Sequence, residues 1–148
     1  MSFLKNLFGA CSKQGTIQDR IKKAEAGDAN EQCYLGLSYQ QGEYGLPKDY
    51  SEAAKWYRKA AEQGHAGAQL YLGVYLCNVK QEVVEAYKWF ELAKRGNDFD
   101  EVASTQSQTQ LVPHMTPEQI AKGRKLASEF MPTVIGSWGI KPIFPNKK

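Results

Sequence analysis

From residue 28 onward the apolar positions follow a helical period. Asp28, with Glu31 three residues later, stands ahead of an apolar run as a cap and an acid do at a helix start. Leu35, Gly36 and Tyr39 then share one face by i, i+1, i+4 spacing. Gly42, Gly45 and Pro47 end that helix. Asp49 and Glu52 open the next, whose stripe is Ala53, Trp56, Tyr57, Ala60 and Ala61, closed by Gly64 as a left-handed cap. The same order then recurs. Ala68, Leu72, Gly73 and Leu76 mark one helix; Ala86, Trp89, Phe90 and Ala93 mark its partner, closed by Gly96. Glu25-Ala26-Gly27 and Leu35-Gly36 return 37 residues later, whereas Ala53-Ala54-Lys55-Trp56-Tyr57 returns as Ala86-Tyr87-Lys88-Trp89-Phe90 after 33. The connection holding Gly42 to Pro47 is therefore four residues longer than the one around Asn78-Val79-Lys80. Two helix pairs result, and a unit of this kind buries its apolar face only by stacking on a neighbour. Gly36 and Gly73 are expected to let the paired helices approach, with Trp56 and Trp89 filling the space beside them.

The flanks are less regular. Residues 16–27 read as the lone second helix of a lost unit, with Asp19 where the later units carry Trp. Within 97–110, the run Ser104-Thr105-Gln106-Ser107-Gln108-Thr109-Gln110 has no apolar period; a short helix from about Asp98, then loop, is expected. Thr116, Pro117 and Gln119 begin a closing helix over 117–131, and Pro132 stops it. Three parts follow: an N-terminal stretch over 1–15, a repeat domain over 16–132 with units at about 28–63 and 65–96, and an extended tail over 133–148 broken by glycine and proline.

Composition narrows the function. The chain has 148 residues, 42% hydrophobic and 24% charged, which reads as globular. No apolar run approaches the roughly 18 residues of a membrane span. The net charge of +3 sits in the first 27 residues, so no phosphate-tracking surface, and no nucleic-acid partner, is expected. Cys11, Cys33 and Cys77 are odd in number and lack a C-x-x-C spacing, which favours reduced thiols. The stretch Met1 to Cys11 is interrupted by Lys5 and Asn6 and is too short for an export signal; the expectation is a cytoplasmic protein. His65 and His114 have no Cys or His at metal-ligand spacing and read as solvent-exposed. Asp28, Asp49, Glu52 and Glu82 are explained by helix starts. No nucleophile set, phosphate loop, metal or cofactor is indicated, and no enzyme is expected.

Ala68-Gln69-x-x-Leu72-Gly73, with Lys48-Asp49 and Ala53-x-x-Trp56-Tyr57-x-Lys59-Ala60-Ala61-Glu62-Gln63-Gly64, resembles the Sel-one-like repeat (SLR) family, a relative of the tetratricopeptide repeat. The resemblance covers residues 22–96, and the segment from Met115 to Ala127 looks like the closing helix found after the last repeat of bacterial members. It implies an all-α fold: a short α/α superhelix with an N-terminal capping helix, a C-terminal closing helix and the extended tail. It also implies a non-enzymatic scaffold that binds another protein. Glu31 departs from the family pattern, standing where Ala68 stands in the second unit, and a partly open first interface is expected there.

Related repeats line a concave groove with first-helix side chains that the core does not use. By that resemblance the candidate binding residues are Cys33, Leu37, Gln40 and Gln41 in one unit, and Leu70, Val74, Cys77 and Asn78 in the next. An apolar face with amide-bearing ends suits an extended peptide or a helix; ordinary half-buried packing is the competing reading. The apolar tail is expected to dock on its own groove or outer face, or on a neighbouring copy, with Trp138 and Phe144 as anchors. Two other roles follow from the resemblance: an immunity or inhibitor protein that blocks a toxin on the same face, and a hydrolase like the cysteine-rich relatives, whose paired cysteines are not matched here.

Overall fold

Each helix leaves its first N–H groups unpaired, and in this chain mostly short polar side chains take them up. The structure is a computed structural model that describes residues 16–96 and 98–132. Helix α1 (Ile17–Glu25) starts at Thr16, whose hydroxyl and the Asp19 carboxylate cap each other's backbone. Asp28 caps α2 (Ala29–Gln41), Asp49 caps α3 (Tyr50–Glu62), and Thr116 with Gln119 caps the closing helix α7 (Pro117–Glu129). Between them lie α4 (Ala66–Tyr75), α5 (Val83–Ala93) and α6 (Asp98–Leu111). Gly42 ends α2 at φ +72°, and Gly64 follows α3 at φ +90°, both left-handed as expected. The shorter second connection is a π-type turn, Leu76–Lys80, that closes when the Glu82 N–H reaches the Leu76 carbonyl.

Glu31 and Glu52 do not complete capping boxes. Glu52 accepts from Lys55 at 2.7 Å, and Glu31 accepts from Arg20 at 2.8 Å. The Arg20 guanidinium also lies over the Tyr34 ring, 3.8 Å from its centre. The first interface is therefore closed by a mostly buried ion pair rather than left partly open: Arg20 reaches across from α1 to the carboxylate that replaces alanine.

Helices pack in sequence order, α1 on α2 through to α5 on α6, with α6 also against α4 and α7 folded back onto α5. The glycine positions work as the periodicity predicts, but with different partners. A Cβ on Gly36 would lie 2.6 Å from the Tyr57 ring, and one on Gly73 would lie 2.6 Å from Phe90. The tryptophans, one residue earlier, point about 100° away. Trp56 packs with Ala24 and Leu35, and Trp89 meets Phe130 edge-on at 5.4 Å. Gly123 of α7 repeats the device against Tyr87, at 2.8 Å.

Buried amides join successive units. Gln32 donates to the Ala24 carbonyl at 2.9 Å, and Gln69, 37 residues on, donates to Ala61 at 3.1 Å. Gln63 in turn donates to the Gln32 amide oxygen.

The segment expected to be loop beyond a short first turn is helical through Leu111. Its buried stripe is Asp100, Ser104, Gln108 and Leu111, a helical spacing carried mostly by polar residues, so apolar periodicity does not register it. The Ser107 and Thr109 hydroxyls return bonds to the carbonyls four residues back. Gln108 donates to Glu91. Burial opposes the Glu91 charge, but the bonds from Gln108 and Lys94 hold its carboxyl below the usual range.

His65 is half-buried rather than solvent-exposed, because its imidazole is the cap of α4: Nδ1 accepts from the Ala68 N–H at 3.1 Å. Burial lowers its pKa against the pull of Asp100. His114 is exposed in the 3-10 turn Val112–His114.

Two outcomes follow from these contacts. Gly73→Ala should lose on the order of 1–3 kcal/mol by overpacking against Phe90, although alanine is the better helix former by about 1 kcal/mol; the urea midpoint should fall. Only neutral His65 accepts a hydrogen bond at Nδ1. Its folded pKa lies below the unfolded value of about 6.5, so its stabilisation is present above that pH and is lost as pH falls through the folded value. His65→Asn, which caps at every pH, should lose less stability than wild type between pH 7.5 and pH 5, measured by urea unfolding at each pH.

Candidate functional site

The first helices of successive units, α2, α4 and α6, build one face. Two grooves open on it. The first, of about 190 Å³, lies between α2, α3 and α4. Gln40, Tyr50, Tyr57, Tyr71, Val74, Tyr75, Asn78 and Val79 wall it. The second, of about 330 Å³, lies between α4, α5 and α6, with Val74, Cys77, Asn78, Phe90, Ser107, Gln110, Leu111 and His114 around it. Val74 and Asn78 belong to both, so they form the ridge between two successive hollows.

Of the residues expected on this face, Gln40, Val74, Cys77 and Asn78 line the grooves. Cys33 and Leu70, 6% and 7% exposed, belong to the core instead. Leu37 is half-buried against that core, and Gln41 is exposed at the end of α2, outside both grooves. The helical stripe drifts as it climbs, so its N-terminal members turn inward and its C-terminal members stay open. Sequence reasoning did not include Tyr50, Tyr71 and Tyr75, nor Ser107, Gln110 and His114 of the third first-type helix. None of these tyrosines falls on an apolar stripe that the periodicity picks out, and α6 carries no apolar period.

The groove chemistry is amphipathic. The Tyr57 hydroxyl donates to the Gln40 amide oxygen at 2.7 Å; the Gln40 NH2 makes no hydrogen bond among the described residues. Tyr57 and Tyr71 stack with ring centres 5.2 Å apart. Burial raises the pKa of both phenols, so each remains a protonated donor near neutrality. Cys33 and Cys77 are free thiols; Cys11, Trp138 and Phe144 lie outside the described residues.

Charge is divided between the two kinds of helix. Residues 32–42, 66–79 and 102–114, which make up most of α2, α4 and α6, contain no Asp, Glu, Lys or Arg. By contrast, α3 carries Glu52, Lys55, Arg58, Lys59 and Glu62. Among the described residues no cluster of His, Cys, Asp and Glu could hold a metal ion, and no helix is long and apolar enough to cross a membrane.

The Sel1 repeat family model matches residues 32–65 and 66–98. The chain carries two consecutive Sel1 repeats in an SLR fold. Among solved structures, c5321, "a protective antigen present in uropathogenic Escherichia coli strains displaying an SLR fold", superposes with a TM-score of 0.70 at 30% identity, over 84% of this chain and 28% of its own. The F-box protein At1g70590 of Arabidopsis thaliana is 38% identical over 64 residues, 43% of this chain and 17% of that protein. The chain thus spans under a third of either relative. Sel1 repeats generally mediate protein–protein contact and are typically non-catalytic, and an SLR array supports a scaffold role. The two matched repeats cover α2 to α5; α6 continues the array past them, and its Ser107, Gln110 and His114 complete the second groove.

Burial, with the Asp100 charge adding to it, pushes the Cys33 thiol up to about 12. Only the thiolate attacks an alkylating agent, so at pH 8 iodoacetamide should modify half-buried Cys77 well before Cys33, and Cys33 only on the timescale of unfolding. Mass spectrometry of the labelled peptides reads the order.

Proposed function

We propose that this protein is an interaction scaffold that takes a segment of a partner protein, extended or helical, along the face of α2, α4 and α6. The interacting unit is the repeat domain over 16–132. One observation carries this reading: three large apolar side chains left open to solvent, Tyr50 (50% exposed), Val74 (37%) and Val79 (57%), converge on a single groove. Scattered apolar side chains on a surface need no explanation, but clustered ones mark a contact site. Amides at its edges, Gln40 and Asn78, suit the backbone groups of an incoming peptide. The free thiols of Cys33 and Cys77 accord with a reducing compartment such as the cytoplasm.

A photo-reactive benzoylphenylalanine placed at Val79 should cross-link a defined protein on irradiation in cells. The same group at Arg58, on the exposed side of α3, should not. Equal capture at both positions, or none at Val79, would remove the partner protein from this face.

A further inference from the structure

The absence of charge on the open face is not required by packing. Exposed groove positions such as Asn78 and Gln110 could carry Lys or Glu at no cost to the core, and those side chains are good helix formers. In a chain that is 24% charged, their exclusion from residues 32–42, 66–79 and 102–114 is a property of the surface. Charge is depleted where a surface is covered, because an occupant desolvates it and an unpaired buried charge is costly. The same argument restricts the occupant, which must itself carry little charge along the contact.

The chain contains such a segment. Residues 130–140 hold no Asp, Glu, Lys or Arg and include Val134, Ile135, Trp138 and Ile140; Lys141 alone interrupts the stretch before Asn146. The described structure ends at Pro132, whose ring lies within 3.4 Å of where a Cβ on Gly64 would sit, beside the start of α4. The ten residues of α4 span about 15 Å. The chain beyond Pro132 reaches up to about 50 Å when extended, so it is long enough to pass from one end of α4 to the grooves at the other. A tether of this length also holds its own segment at an effective concentration on the order of millimolar.

We infer that the open face is occupied by the chain's own segment Thr133–Asn146, docked within the same molecule, with Trp138 and Phe144 as its apolar anchors. This rests on the proposed binding face and adds its resident. A partner must displace the segment, and its apparent affinity falls by the fraction of molecules in which the face is open.

The test uses full chains and a fluorescein-labelled synthetic peptide of residues 133–146. A chain with Trp138→Asp and Phe144→Asp should bind the peptide at least tenfold more tightly than wild type, because its face is vacated. Adding Val74→Asp, an exposed position on the ridge, should abolish that binding while the urea midpoint stays within error. Equal binding to wild type and the double variant would overturn the inference. So would no binding to either, or binding that Val74→Asp leaves intact. Wild type should sediment as a monomer; a dimer that dissociates on Trp138→Asp and Phe144→Asp would place the segment on a second copy and overturn docking within one molecule. The two readings separate cleanly. Partner capture at Val79 without peptide binding removes only the resident, and peptide binding without capture removes only the partner.

Discussion

A helix pair without side-chain volume at one point is the contact on which the rest of this molecule depends. At Gly36 and Gly73 the ring of the following helix occupies the space where a Cβ would be, Tyr57 in one unit and Phe90 in the next. Each ring is almost fully buried, so it cannot move aside for a larger residue. The approach aligns the two helices of a unit and turns the residue before the ring, Trp56 or Trp89, toward a neighbouring element. Gly123 meets Tyr87 in the same way, which explains why the closing helix packs on α5. One small-against-aromatic contact, used three times, sets both the pairing within units and the way the array ends.

Hydrogen bonds provide the link between units. Gln32 and Gln69 reach back to carbonyls at the end of the preceding second helix, Ala24 and Ala61, which also accept the N–H groups of Gly27 and Gly64. Because the amide is buried, the bond is directional as well as stabilising. At the first interface the small residue is replaced by Glu31, and Arg20 supplies a charge from α1 to meet it. At the last, α6 buries Asp100, Ser104 and Gln108 where earlier units bury apolar groups. The array thus becomes more polar toward both ends, as terminal repeats do.

These packing rules claim only part of each first helix. Side chains near the N-terminal end, Cys33 and Leu70, are drawn into the core, while Gln40, Val74, Cys77 and Asn78 near the other end stay along the grooves. The open face therefore lies at the C-terminal end of α2 and α4, beside the connections. That is where length differs between units and where Tyr50 and Val79 stand exposed. Charge lies on the second helices and is absent from residues 32–42, 66–79 and 102–114 of the first-helix segments, which gives the molecule a wet side and a side suited to being covered.

Much of this was legible from residues alone. The repeat, its period, the helix pairs, the caps at Asp28, Asp49 and Thr116, and the small residues at Gly36 and Gly73 are all local or periodic signals, and local signals do not need a partner to be read. The first helices, too, stand out in the sequence as the source of the proposed binding face. The tertiary structure decided what depends on a neighbour: that Tyr57 and Phe90, not the tryptophans, fill the glycine gaps; that Arg20 closes the interface at Glu31; that His65 caps α4; and that Cys33 and Leu70 are core. It also decided that the serine- and glutamine-rich stretch of α6 is a helix. Its buried stripe is polar, and a polar residue shows its inward side only when the acceptor opposite it is in place, as Glu91 is for Gln108. Apolar burial leaves a period in the chain; polar burial is written in the pairing of groups far apart in sequence, and folding alone brings them together.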